Sequence, residues 1–233
     1  MKKLGLIGGT GPESTIVYYR ELTHGVRKKL GRPYFPHLAV ESLSVFEVLD
    51  YCARSDFDGL TDYLARGVRS LAACGCDAAA LTGITPHVVF ERLAAASPIP
   101  LVSMMDTARD AARRLGFRRV ALWGTAPTMR GSFFQNSFAA AGIEAVTPNA
   151  GEQALIGKKI ETELEYGVVS AETRDRLADI AERMKRDDGI EAVVLGCTEL
   201  PLLFETTPLP LPALDVMKLH IAALIDMIAA DCA

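Results

Sequence analysis

No stretch of this sequence approaches the ~20 consecutive apolar residues of a membrane-spanning helix, so no membrane association is expected. Positive charge is not in excess either. There are 25 Lys and Arg against 29 Asp and Glu, for a net charge of −4, whereas a nucleic-acid partner demands a basic footprint. Cysteine is sparse and unpatterned. Cys52, Cys74, Cys76, Cys197 and Cys232 are odd in number and form neither an even disulfide framework nor the C-x-x-C pairs of a zinc site. No glycine-rich stretch ends in Lys-Ser or Lys-Thr, and none reads G-x-G-x-x-G, so the two common nucleotide loops are missing. A Ser-centred nucleophile elbow is missing too.

What remains is an ordinary globular composition. Hydrophobic residues make up 49 % and charged residues 23 %, enough apolar surface to offset chain entropy and exclude disorder. The 233 residues fit one large α/β unit or two domains of about 100–120 residues. Met1-Lys2-Lys3 leads straight into the short apolar segment Leu4–Ile7, without the longer apolar region and cleavage site of a secretory signal. With unpaired thiols, this predicts a cytoplasmic protein.

Short apolar runs alternate with helical periodicity. The expected strands are Leu4–Gly8, Leu38–Ser42, Asp77–Thr82, Leu101–Ser103, Arg119–Gly124, Glu144–Thr147, Ala192–Gly196 and Ala213–Asp215. Between them, Pro12–Leu30, Phe57–Ala73 and Thr173–Lys185 carry apolar residues at helical spacing; Leu60, Leu64, Val68 and Leu71 share one face. Such alternation predicts a mostly parallel sheet flanked by helices. The chain also resembles itself at an offset of about 112–116 residues. Lys2–Thr10 matches Arg118–Thr125, Asp77–Gly83 matches Glu191–Cys197, and Pro98–Leu101 matches Pro210–Ala213. Three matches in one order predict two related halves of four strands each. We place the first domain at residues 1–98 and the second at 99–214, with the helix from about 215 to 233 packing back on the first. Ligands in open α/β sheets bind beyond the carboxyl ends of strands, so a cleft between the halves is the expected site.

Three strand ends hold chemistry-bearing residues. Gly8-Gly9-Thr10-Gly11-Pro12-Glu13-Ser14-Thr15 is a glycine turn entering a helix, with free N–H groups suited to a small carboxylate; a plain strand-to-helix turn fits the same residues. Gly196-Cys197-Thr198-Glu199-Leu200 puts a thiol at a strand end, where a following N-terminus would favour thiolate; a buried structural cysteine is the alternative. Thr82-Gly83-Ile84-Thr85-Pro86-His87 is the first-half counterpart, with Gly83 at the position of Cys197. His87 reads as a structural cap or a catalyst. Cys74 and Cys76 suggest packing at a helix end, Cys52 lies in a helical stretch and Cys232 in the tail.

These residues, in this order, resemble the aspartate/glutamate racemase family of the Asp/Glu/hydantoin racemase superfamily. Ile7–Thr15 with Tyr18-Tyr19 is similar to its opening. Thr85-Pro86-His87 is similar to the end of its first active-site motif, Cys-Asn-Thr-x-His, and Gly196–Leu200 to its second, Gly-Cys-Thr-Glu. Leu122-Trp123-Gly124-Thr125 with Thr128-Met129 is similar to the start of its second half. The resemblance implies two pseudo-symmetric Rossmann-like domains, no cofactor, frequently a homodimer, and two thiols that exchange the α-proton of a small amino acid or dicarboxylate from opposite faces. It makes Cys197, Thr85, Thr82 and the position of Gly83 the catalytic candidates. Thr10, Gly11, Ile84, Thr125, Thr128, Thr198 and Glu199 become substrate-binding candidates, with Arg54 matching an arginine that some members use for an acidic side chain.

The sequence departs from the pattern at one decisive place. Gly83 stands where the first thiol belongs, and Ile84 where its asparagine neighbour belongs. Glycine carries no proton, so the acid–base pair is asymmetric. Three readings follow: a racemase with a weakened pair, a one-thiol decarboxylase similar to arylmalonate decarboxylase, or a non-catalytic carboxylate-binding homologue. Of these the racemase accounts for the whole-chain likeness. If residue 83 has room for a side chain, Gly83→Cys is expected to raise racemisation.

Overall fold

Each half of the chain builds a four-stranded parallel sheet, and the two sheets are wired identically. The structure is a computed structural model that describes residues 1–230; Cys232 lies outside the described residues. In chain order the first half runs β1 (Leu4–Gly8), α1 (Pro12–Leu30), β2 (Leu38–Ser42), α2 (Val45–Ala53), α3 (Phe57–Ala73), β3 (Ala78–Leu81), a 3₁₀ turn (Thr85–Val89), α4 (Phe90–Ala96) and β4 (Leu101–Val102). The second runs α5 (Met104–Arg114), β5 (Arg119–Gly124), α6 (Ala126–Arg130), α7 (Phe133–Ala139), β6 (Glu144–Val146), α8 (Ala150–Thr162), a 3₁₀ turn (Leu164–Tyr166), α9 (Ala171–Asp188), β7 (Ala192–Gly196), a 3₁₀ turn (Leu200–Phe204), β8 (Ala213–Asp215) and α10 (Val216–Ala229). The strand orders are β2-β1-β3-β4 and β6-β5-β7-β8.

The repeat extends to individual contacts. Asp77 accepts the Lys3 backbone N–H on its carboxylate at 2.7 Å and donates its own N–H to the Lys3 carbonyl. Glu191 does the same for the Arg119 N–H at 3.0 Å and the Arg119 carbonyl. The Pro100 carbonyl accepts from Ala79 N–H and the Pro212 carbonyl from Val193 N–H, both at 2.9 Å. Ile7 pairs with Leu81 in one sheet and Trp123 with Leu195 in the other. Gly83 and Cys197 therefore each lie two residues beyond an equivalent pair.

The chain divides into two compact units, Met1–Met104 together with the chain from His220 onward, and Met105–Leu219. A first domain closing at residue 98 is too short, because Leu101 and Val102 pair with Ala79 and Ala80 of β3. The strand Leu101–Ser103 is expected from the sequence, and its pairing with β3 shows that it belongs to the first unit. In the first unit the α3 face of Leu60, Leu64, Val68 and Leu71 packs on Ile7, Ala79 and Leu81. In the second, Trp123, Val193 and Leu195 are covered by Ile156 and Ile160 of α8 and Leu177, Ile180 and Met184 of α9. Each such buried side chain contributes about 1.5–3 kcal/mol. Helix starts are set locally. Asp56 caps α3, Ser170 caps α9, and Asn149 with Glu152 forms a capping box on α8. Among the described residues no helix is long and apolar enough to cross a membrane.

One tie in the first unit had no sequence signal. His220 of α10 is completely buried. Its Nε2 lies 3.1 Å from the Val102 carbonyl, which only accepts, so Nε2 carries the proton. Nδ1 then accepts from the Tyr18 hydroxyl at 2.7 Å. The bond fastens α1, β4 and α10 to one another. Burial, with repulsion from nearby His87, lowers the His220 pKa to about 3, and burial lowers His87 to about 4. Both values lie below that of an unfolded histidine, so the unfolded chain takes up the extra protons in acid. Stability from these groups is complete above about pH 6.5 and is lost as the pH falls toward 4 and then 3, at about 2 kcal/mol per histidine by pH 5. The urea midpoint is expected to drop between about pH 7 and pH 5, a window above most carboxylate titration, and to drop less in His220→Gln.

Candidate active site

At the carboxyl end of β1 the chain turns on Gly9, whose φ is +73°. A Cβ there would stand 2.1 Å from the Leu43 carbonyl oxygen, so glycine is required. The turn delivers Gly11 as the N-cap of α1, without a side-chain cap. Two hydroxyls in the first helical turn fold back instead. Thr15 Oγ1 donates to the Gly11 carbonyl at 2.9 Å and accepts the Gly9 N–H at 3.1 Å. The Ser14 hydroxyl lies 2.8 Å from the Gly11 carbonyl and 3.1 Å from that of Thr82. Thr82 is completely buried. Its hydroxyl sits 2.9 Å from Thr15 Oγ1 and 3.2 Å from the Ile7 carbonyl. Thr82 thus fastens the two strand ends together. Sequence reading passed over Ser14 and Thr15 as fasteners, although hydroxyls in a first turn beside an uncapped glycine are a visible signal.

Gly83 follows, buried and outside the left-handed region. A Cβ on it would meet the Thr10 carbonyl oxygen and the Thr10 hydroxyl, both at 2.7 Å. Residue 83 thus lacks the room on which the expected gain from Gly83→Cys depends. Thr10 itself is 6 % exposed, and its hydroxyl has no hydrogen-bond partner among the described residues. Ile84 is buried and accepts the His87 N–H on its carbonyl at 2.9 Å; Thr85, half-buried, opens the 3₁₀ turn. The His87 ring stacks on Phe90. Its Nδ1–H donates to the Gly83 carbonyl at 2.9 Å, while Nε2 accepts the Met104 N–H at 3.4 Å. That assignment and its depressed pKa make His87 a neutral clamp on the strand end.

Arg54 is placed differently. It ends α2, with its guanidinium 2.7 Å from the Asp50 carboxylate and over the Tyr51 ring, more than half exposed. Its contacts stay within its own helix. Of the other cysteines, Cys52 lies in α2, Cys74 is exposed at the end of α3 and Cys76 is buried just beyond it.

In the second unit Cys197 leaves β7 6 % exposed. Its thiol donates to Glu199 Oε2 at 2.9 Å, and the Thr198 hydroxyl donates to Glu199 Oε1 at 2.6 Å. Burial pushes the thiol well above its usual range, and the Glu199 carboxylate pushes further, outweighing the backbone N–H groups of Glu199 and Leu200. The expected thiolate is therefore corrected to a protonated thiol. Exposed Glu165, on the turn after α8, feels the charge of Glu199. Loss of solvent and then the charge of Glu199 raise its pKa, and no motif announced it. Thr125 heads α6 with its hydroxyl 3.2 Å from that of buried Thr128.

A family model for Asp/Glu/Hydantoin racemase matches residues 7–224. The chain belongs to this family. A solved structure of a candidate Asp/Glu racemase from Yersinia pestis is similar over 98 % of this chain and 99 % of that one, with 28 % identity and a TM-score of 0.92. An aspartate racemase homologue from Pyrococcus horikoshii OT3 is 30 % identical over 98 % and 100 % of the two chains, with a TM-score of 0.88. The aspartate racemase of Picrophilus torridus, 20 % identical over 98 % of this chain and 95 % of its own, shares the fold at a TM-score of 0.71. The two parallel sheets are thus those of the Asp/Glu/hydantoin racemases.

Two expected outcomes follow for this racemase-family site. Gly83→Ala is expected to cost about 1–3 kcal/mol by overpacking and Gly83→Cys at least as much, read as a lower urea midpoint. Glu199→Gln removes the charge that opposes ionisation, so alkylation of Cys197, followed by peptide mass spectrometry, is expected to begin at lower pH than in the wild type.

Proposed function

We propose that this chain is a cofactor-independent racemase of aspartate- or glutamate-like amino acids, with Cys197 as its single thiol acid–base group. The hydrogen bond from Cys197 to Glu199 carries this reading. The thiol passes its proton to Glu199, the resulting thiolate, held by the backbone N–H groups of Glu199 and Leu200, removes the α-proton, and the thiol so re-formed returns a proton to the planar carbanion on that same face; inversion takes its proton from solvent on the opposite face. Thr10, Gly11, Ile84 and Thr85 in the first unit, and Thr125, Thr128 and Thr198 in the second, are the candidate groups for the rest of the substrate, and the start of α1 favours a carboxylate. Arg54 needs release from Asp50 to take part. In this reading the enzyme works in the cytoplasm, as a homodimer, on a free amino acid.

Inverting a carbon centre takes an acid and a base on opposite faces. With glycine at position 83, exchange on the Cys197 face outruns inversion. The protonated state of Cys197 also favours a second reading, a lyase that protonates the enediolate left when a small dicarboxylate loses carbon dioxide.

The test is α-deuterium incorporation from heavy water into each enantiomer of aspartate and glutamate, with optical rotation followed in parallel. Exchange faster than loss of rotation is expected, and Cys197→Ala is expected to lower it ~10²–10⁴-fold. Exchange that survives Cys197→Ala sinks the reading. Carbon dioxide released from a malonate, without amino-acid exchange, selects the lyase.

A further inference from the structure

We propose that the free edge of β2, with the adjoining side of α1, is a self-complementary interface at which two copies of this chain pair strand to strand. This surface lies in the first unit and is independent of the chemistry at Cys197; it gives the homodimer of the reading above its joining face.

Its first support is a row of open backbone groups. β2 ends the order β2-β1-β3-β4 and is paired on one side only. The His37 carbonyl accepts the Leu4 N–H, and the Leu43 N–H donates to the Gly8 carbonyl. Backbone groups alternate in direction along a strand. His37, Ala39, Glu41 and Leu43 therefore face β1, while Leu38, Val40 and Ser42 turn their N–H and C=O groups outward. Among the described residues no backbone group bonds to these outward ones.

The second support is that this edge is undefended. Native edges are blunted by shortness, charge or proline. The other three edge strands fit that rule. β4 has two residues and β6 and β8 have three each, and β6 opens on Glu144 with Pro148 just beyond it. β2, which holds the place of β6 in the first sheet, runs for five residues with neither Lys nor Pro. Its one charge lies on the α3 face, where a Cβ on Gly67 would stand 3.3 Å from Glu41 Cγ. Val40 lies on the α1 face: a Cβ on Gly8 would meet Val40 Cγ1 at 3.0 Å and Thr15 Cγ2 at 2.6 Å. Tyr19 is one turn beyond Thr15 on the same side of α1, with Ile16 beside it. Ile16 is 58 % exposed, Tyr19 56 % and Val40 43 %. Three large apolar side chains thus stand along a bare edge.

The third support fixes the partner. Two copies of β2 laid antiparallel about an axis at Val40 bring outward residues onto outward residues. Val40 faces the partner's Val40, and Leu38 faces the partner's Ser42. Residues that face each other with both groups outward are the hydrogen-bonded pairs of an antiparallel ladder, so every outward N–H and C=O is used. Ala39 faces the partner's Glu41, and no like charges meet. The four-stranded sheets of the two copies become one continuous sheet. Ile16 and Tyr19 add the apolar area that a short edge lacks against the roughly 1,200–2,000 Å² of a stable interface. A two-fold interface requires a patch that complements itself, and the spacing of these residues about Val40 meets that requirement.

Because residue 40 meets its own copy, charge tests the pairing directly. Mass is measured by sedimentation equilibrium for the wild type, Val40→Lys, Val40→Glu and an equimolar mixture of the two variants, with circular dichroism as the check on folding. The wild type is expected at twice the chain mass of 25.1 kDa. Each variant alone is expected to fall to the monomer mass, because like charges then face across the axis. The mixture is expected to return to the dimer mass, because opposite charges face there, a rescue that misfolded variants cannot give. A wild type that stays monomeric at high micromolar concentration overturns the proposal, as the edge is then bare or meets another molecule. A variant that remains dimeric overturns it by placing the joining face elsewhere, and a mixture that stays monomeric overturns the register. The two readings fail separately: α-proton exchange that persists in Cys197→Ala defeats the racemase reading and leaves these masses unchanged.

Discussion

The pairing of each unit's two central strands governs the rest. Because β1 and β3 run parallel with Ile7 beside Leu81, both leave the sheet at one level, and the loops that follow must share the space there. The hydroxyls of Ser14, Thr15 and Thr82 join the two exits, and His87 draws the Gly83 carbonyl toward the start of α5. A side chain gained on one loop is therefore space taken from the other. Gly83 and Thr10 express that exchange directly. In the second unit β5 and β7 exit together in the same way, with Trp123 beside Leu195, and there the loop after β7 carries Cys197.

The electrostatics of Cys197 reverse a common expectation. A thiol near backbone N–H groups is ordinarily acidified, and the N–H groups of Glu199 and Leu200 do act in that direction. They lose because the thiol is buried and faces a carboxylate within the same turn. The position of Glu199 follows from adjacency in sequence: two residues past the thiol at the start of a 3₁₀ turn, its side chain folds back, and Thr198 holds its other oxygen. The thiol's proton thus has a hydrogen-bond acceptor close at hand.

Much of this was legible in the residues. The strands Leu4–Gly8, Leu38–Ser42, Arg119–Gly124, Ala192–Gly196 and Ala213–Asp215 and the helices Pro12–Leu30 and Phe57–Ala73 have the expected bounds, because glycines and prolines punctuate apolar runs whose periodicity is unambiguous. The internal repeat placed Gly83 opposite Cys197 in the alignment of the halves, and the strand register agrees. Illegible features were those made by tertiary contact. Nothing local distinguishes His220 or Glu165 from any helical histidine or surface glutamate. The direction of the Cys197 shift depends on burial, and the fit at Gly83 depends on a loop seventy-odd residues away in sequence. Arg54 matched a pattern, but Asp50, one helical turn earlier, had already claimed it.

The division of chemistry between the units follows. The second unit holds the thiol and its hydrogen-bond acceptor; the first holds an uncapped helix start, rigid fasteners and no thiol at its strand end. The space beside Gly83 is filled by the Thr10 carbonyl and hydroxyl. Overpacking forbids a larger residue beside the Thr10 carbonyl, and a hydroxyl in that space preserves polarity where an alanine-lined gap would not. The same closeness means that any side chain added at position 83 meets the backbone of the neighbouring loop, not only a side chain.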